Sequence, residues 1–389
     1  MDLDRLQNLE GLFEQEIKEG RLKGCSIRIL HHGETVYGKS FGTDAQDSIY
    51  RIFSMTKPIT AVAVLLLMER GLLDLKEPLS RYIPEFEKMQ VVTPEGLRDA
   101  ENPITIAHCL NMTSGMVYPG ENSISEIRLS KEAERIAVRQ EFGEEPDAVA
   151  VAKAVANVPL LFEPGTKWHY SVSADVLAAV VETITGFRYG EFLKRAVFDP
   201  LQMQDTMYVS DLSKKEKRLA KIYSRQADGR VAEASVAQLD DLKNTAFTSV
   251  YATSFDGGGS GLCSTMEDYS RFASMLLNGG EYEGKRILGP KTVEFMRTDG
   301  LSSDVRKTVD FQNADGYSYT NLVRIMKDTG IAASNGSRGE FGWDGMLGTY
   351  YLVDPSEDLV MVYGQQILEG LDGLLIRKIR NILYSSLKS

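Results

Sequence analysis

Residues 51–74, RIFSMTKPITAVAVLLLMERGLLD, constrain the fold more than any other stretch. From 58 to 67 nearly every side chain is apolar, and Gly71 follows the run. A helix that is apolar on all sides belongs inside a large protein. Pro58 fits a helix only in its first turn, where the missing N–H had no intrahelical partner. The pattern therefore predicts a buried helix that starts close to Ser54 and is closed by Gly71 as a C-cap. Ser54 and Lys57 are three residues apart, so they share one helix face.

That spacing suits nucleophilic chemistry. A serine hydroxyl becomes reactive when a base takes its proton. Burial and the positive end of a helix both disfavour an ammonium ion, which makes Lys57 a candidate base. The same helix end offers backbone N–H groups to a developing oxyanion. S-x-x-K alone is a weak pattern, and a cap serine beside a solvated lysine reads the tetrapeptide as well. The decision rests on residues further along the chain.

Two later segments supply candidates. Tyr170 follows a Pro164-Gly165 turn and precedes the apolar helix of 173–186, so it reads either as a partly buried structural tyrosine or as a phenol offered at a loop edge as a general base or proton relay. Gly342-Trp343-Asp344-Gly345-Met346 opens a strand. Glycine there marks close approach by a ligand or another backbone, and the Met346 N–H is a candidate second oxyanion donor. Gly38-Lys39-Ser40-Phe41-Gly42 matches G-x-S-x-G but lies at the end of a hairpin strand, without the strand–turn–helix context of a nucleophile elbow. None of the four histidines, His31, His32, His108 and His169, stands in a Ser-His-Asp context. No metal-binding or nucleotide-binding motif occurs, so neither a metal nor a cofactor is expected.

The chain has 389 residues, enough for two lobes sharing one site, and a net charge of −11 without a basic run. Nucleic acid and anionic membranes are poor partners for such a surface. Cys25, Cys109 and Cys263 are too scattered for a disulfide framework or metal site. The first 20 residues are acidic and amphipathic, unlike a signal peptide, and no apolar run is long enough to span a bilayer. A cytoplasmic protein is expected. Strand patterns occur at both chain ends: the first flank a hairpin at residues 31–34, and the later ones are 319–328, 342–354 and 359–366. Helices and long loops fill the interval, with a mostly exposed helical pair over 125–158. The expected fold is α+β: one unit over 1–389, with an α/β lobe from 1–74 and 251–389 and a helical insertion lobe from 75–250.

Ser54-Met55-Thr56-Lys57, Tyr170-Ser171 and Trp343-Asp344-Gly345, in this order and spacing, resemble the serine β-lactamase and penicillin-binding-protein superfamily. The likeness is greatest to class C β-lactamases and the related family VIII carboxylesterases, and it runs through 110–115, 162–177, 257–280 and 348–362. It implies an antiparallel sheet flanked by helices plus a helical lobe, with the active site between them. It implies Ser54 as nucleophile, Lys57 and Tyr170 as general base and acid, and oxyanion donors at the N–H groups of Ser54 and Met346. Two departures bear on substrate. The class C Y-x-N has Val172 in third place, and the lactamase K-T-G is replaced by Trp343-Asp344-Gly345, so the cation that suits a β-lactam carboxylate is missing. Asp344 would repel such a carboxylate if it faced the pocket. The W-x-G form is similar to the esterase branch. The expectation is a metal-free serine hydrolase acting on a small acyl ester. A β-lactamase, a D-amino-acid peptidase or amidase, and a penicillin-binding-like module without turnover are the rivals.

Overall fold

The computed structural model describes residues 1–243, 255–312, 314–368, 370 and 373–388. An N-terminal helix α1 (Asn8–Lys18) leads into a hairpin of β1 (Gly24–His31) and β2 (Glu34–Gly42). His32 and Gly33 form its turn with φ of 53° and 76°. Positive φ at both central residues matches the twist of the flanking strands.

Five later strands complete the sheet: β3 (Tyr317–Thr320), β4 (Val323–Met326), β5 (Phe341–Asp344), β6 (Tyr350–Asp354) and β7 (Leu359–Gly364). The order is β3-β4-β5-β6-β7-β1-β2, with every neighbour antiparallel. The pairing of β7 with β1, Ser26 opposite Gly364, joins the two ends of the chain in one sheet.

Alternate residues of the central strands feed two cores. Trp343, Tyr351, Val353, Val360 and Val362 belong to the larger one, with the buried helices α2 (Thr56–Glu69), α5 (Ser173–Thr185) and α6 (Met266–Leu277). Tyr350, Leu352, Leu359, Met361 and Tyr363 belong to the other, against α1 and the C-terminal helix α7 (Gly373–Ser385). A sheet covered on both faces needs apolar residues at successive positions, as β6 and β7 have.

α2 is buried from Thr56 to Leu67. It ends where Leu72 N–H donates to Leu67 O and Gly71 N–H to Met68 O, the double bond of a Schellman cap. Between β2 and β3 the chain is mostly helix and loop.

Three local expectations need correcting. Residues 317–326 form a hairpin, not one strand, because Asn321 and Leu322 turn with φ of 41° and 62°. Gly345 and Met346 lie in the turn after β5, where Gly345 N–H donates to Thr349 O. Of the helices over 124–157, α3 (Ile124–Glu141) leaves its charged side exposed, but α4 (Ala148–Ala156) buries Ala148, Val151, Ala152 and Val155 against α5. Its single charge, Lys153, leaves most of its surface free to pack. Among the described residues no helix is long and apolar enough to cross a membrane.

Candidate active site

Ser54 occupies a single 3-10 turn, Phe53–Met55, at the entry to α2. Phe53 has φ 44°, in the left-handed region that an aromatic residue seldom adopts. Such a conformation persists only where its surroundings over-determine it. Here the Phe53 side chain is buried with Ile222 and Leu347. Met55 N–H donates to Ile52 O, Ile52 N–H to Leu262 O, and the Tyr269 hydroxyl to Met55 O. The turn that carries Ser54 is thus tied to the strand Leu262–Ser264 and to α6.

Lys57 is fully buried on the first turn of α2. Its Nζ lies 3.1 Å from Ser54 Oγ, 3.0 Å from the Tyr118 hydroxyl and 2.8 Å from Gly259 O. The carbonyl can only accept, so Lys57 donates there, and its other two contacts are hydroxyls that can donate or accept. The amine therefore meets Ser54 in a geometry suited to proton transfer.

Tyr170 is half-buried, and its ring centroid is 4.7 Å from Lys57 Nζ. Its hydroxyl accepts a long bond of 3.4 Å from Trp343 Nε1–H and is not hydrogen-bonded to Ser54 or Lys57. Its ring sits among those of Phe311 (centroids 4.7 Å apart), Tyr118 (5.7 Å), Trp343 (5.8 Å) and Trp168 (6.2 Å). Trp343 stacks on Phe311 at 5.1 Å, making one aromatic wall.

The next three residues separate by direction. Asp344 points to the opposite face of the sheet from Trp343 and is ion-paired with the buried Arg324, so it is not a free negative charge beside Tyr170. The condition for it to repel a substrate carboxylate, that it face the pocket, is therefore not met. Gly345 lies so close to the turn that carries Ser54 that a Cβ on it would sit 2.4 Å from Ile52 O and 2.2 Å from Thr349 Oγ1. Met346 follows in the turn with its side chain 37% exposed. Among the described residues, neither its N–H nor that of Ser54 has a backbone partner.

Sequence reasoning missed three contributors. Tyr118 follows the 110–115 motif by three residues and bonds Lys57 directly. Burial, helped by the charge of Asp175, pushes its phenol well above the ordinary tyrosine value, so it stays protonated at neutral pH. Gly259 belongs to the glycine-rich loop before α6, which was legible as a loop but not as a partner of Lys57. Asp175, in the first turn of α5, accepts from Gly259 N–H at 2.8 Å. Burial pushes its carboxyl up to about 6, while Lys57 and the Gly259 N–H pull the other way.

The decoys stay apart from this cluster. Ser40 lies in β2, opposite Ser26, to which it is hydrogen-bonded at 2.7 Å. His169 packs its edge on Phe162, and burial lowers its pKa. Among the described residues no group of three His, Cys, Asp or Glu side chains is placed to hold a metal ion.

Comparison with known proteins shows the family and the fold. The sequence profile of the family described as Beta-lactamase matches residues 9–377. Protein Rv1367c of Mycobacterium tuberculosis is 32% identical over 82% of this chain and 77% of its own length. Esterase EstB of Burkholderia gladioli is 28% identical, covering 97% of this chain and 94% of its own. The crystal structure of simvastatin synthase (LovD) from Aspergillus terreus superposes with a TM-score of 0.82 at 21% identity, covering 99% of both chains. The fold is accordingly of the β-lactamase/transpeptidase type.

Proposed function

The chain belongs to the Beta-lactamase family, and from that premise we propose that it is a carboxylesterase working through an acyl-enzyme on Ser54. At the coarser level it is a serine hydrolase of the β-lactamase and penicillin-binding-protein superfamily, with esterases among its relatives. In the proposed reaction, Ser54 Oγ attacks the ester carbonyl while the Lys57–Tyr170 pair takes its proton. The carbonyl electron pair moves onto oxygen, facing the N–H groups of Ser54 and Met346. Collapse expels the alcohol, which receives the proton. Water then repeats the sequence on the acyl group and frees Ser54.

The observation that carries the ester reading is the aromatic wall. Where the lactamase pattern has a lysine, this chain has the uncharged, buried Trp343, stacked on Phe311 and with its one N–H turned to Tyr170. The nearest guanidinium to Trp343, Arg324, is committed to Asp344. A β-lactam carries a carboxylate that favours a fixed cation. A hydrogen bond to a charged group is worth about 1.5–3 kcal/mol, so its absence costs about one to two decades in kcat/KM. An alkyl ester needs no such cation. No cofactor or macromolecular partner enters the reaction.

The test compares kcat/KM for p-nitrophenyl butyrate and nitrocefin on one preparation, a separate portion of which is labelled with a fluorophosphonate. The expected result is an adduct on Ser54 and a clear preference for the ester. Faster nitrocefin turnover would replace the reading with a β-lactamase, and an acylation burst without turnover would replace it with a penicillin-binding module.

A further inference from the structure

Asp175 has no place in the reaction as written, yet it is one of the most enclosed carboxyls in the protein, 2% exposed and set behind the catalytic lysine. One oxygen accepts the Gly259 N–H at 2.8 Å, and the other has no hydrogen-bond partner. The Gly259 carbonyl is in turn the closest contact of Lys57 Nζ, at 2.8 Å. The loop is fitted to the carboxyl: a Cβ at Gly259 would lie 2.6 Å from Asp175 Oδ2, and one at Gly258 would lie 2.1 Å from Ala174 O. An unpartnered carboxylate oxygen in a dry interior is costly. Its neighbourhood supplies one compensating charge. The ionisable groups felt by or facing Asp175 are Lys57 from α2, Tyr118 from the loop after residue 115, and Tyr189 and Tyr208 beyond α5. The three tyrosines are held neutral by burial, so Lys57 is the only cation in the group.

We infer that Asp175 is a positioning residue for the base: its buried carboxylate fixes the Gly259 peptide against Lys57 and stabilises the ammonium that forms when Lys57 takes the Ser54 proton. Asp175 exchanges no proton in the cycle. It lowers the energy of the charged intermediate state by Coulomb attraction in a medium where water screens little. This rests on the ester-hydrolase reading given above, with Ser54 as nucleophile and Lys57 in the base.

Two variants separate charge from contact. Asp175→Asn removes the charge and keeps an oxygen for the Gly259 N–H. Asp175→Ser removes the charge and leaves a shorter hydroxyl. Each is checked for folding by thermal melting and for Ser54 by fluorophosphonate labelling, and then kcat/KM for p-nitrophenyl butyrate is followed against pH. The expected result in both is that the acid limb moves down by about one pH unit, because a cationic lysine has lost its counter-charge. The plateau kcat falls at least about tenfold, because the lysine is then a weaker base, and KM changes little. A residue that merely fills space would leave the limb where it is. An unmoved limb in both variants, or one that moves only in Asp175→Ser, overturns the role of the charge. Failure of the underlying reading looks different: wild-type protein would then be unlabelled at Ser54, or Ser54→Ala would keep its activity.

Discussion

Three contacts converge on Lys57 Nζ, and each has a measurable share in its work. Tyr118→Phe removes the hydroxyl at 3.0 Å and leaves the ring in place. We expect kcat to fall about ten- to a hundredfold with KM nearly unchanged, since the missing bond orients the base and not the substrate. Lys57→Met removes the amine and should lower kcat by about 10²–10⁴-fold. Steady-state kinetics on p-nitrophenyl butyrate reads both, and a Tyr118→Phe enzyme with wild-type kcat would show that hydroxyl to be incidental. The pair Ser54 and Lys57 was legible in the sequence because an i, i+3 spacing on an apolar helix is local information. Tyr118 and Gly259 were not, since they stand 61 and 202 positions from Lys57 and meet it only through the tertiary fold. Asp175 was hidden for another reason: inside SADVLAAVVETITG it reads as a helix N-terminal acid, a favourable and common surface feature.

At the scale of elements, the turn after β5 lies against the turn that carries Ser54. Gly345→Ala would push a methyl group against Ile52 O, two residues before Ser54. The expected outcome is a loss of kcat of about tenfold or more with a native-like far-UV spectrum, and slower fluorophosphonate labelling of Ser54. Helix α5 makes a separate point about pH. Glu182 accepts the Tyr189 N–H, and burial pushes its carboxyl from 4.5 up to about 7. A carboxyl raised in the folded state takes up more protons there than in the unfolded chain, so its ionisation costs stability that is felt fully above about pH 7 and vanishes below about 4.5. Glu182→Gln should therefore raise Tm at pH 8 and leave it unchanged at pH 4.5, which differential scanning at the two pH values checks. The misread elements share a physical cause. Turns built on Asn321-Leu322, or on Met346-Leu347 between two glycines, keep apolar residues in the run, so alternation continues across a reversal of the chain. The turn at residues 31–34 was legible because polar residues interrupt the pattern there.

Over the whole molecule, the sheet from both chain ends was readable because strand patterns cluster at the two ends while helix patterns lie between. The strand order was not, since nothing local distinguishes the partner of β1. The pairing of β5 with β6 sets Trp343 opposite Tyr351, on the side of Tyr170, and Asp344 opposite Tyr350, where it meets Arg324 on the other side. A change at this scale concerns substrate choice. Trp343→Lys puts a cation into the aromatic wall, and we expect ester turnover to drop while the ratio of nitrocefin to ester kcat/KM rises. A fall in both with an unchanged ratio would show that the wall does not select the substrate.

The separation of 202 positions between Lys57 and Gly259 also sets a timetable. Helix α2 can form from neighbouring residues, whereas the carbonyl that holds its lysine arrives only after a loop of that length has closed. Refolding from denaturant should accordingly restore helical ellipticity before it restores hydrolysis, and stopped-flow measurement of both signals would show the lag. A chain still emerging from the ribosome carries Ser54 and Lys57 side by side long before the rest of the proposed site, and is expected to be inert toward esters until synthesis has passed the turn after β5 that holds Met346.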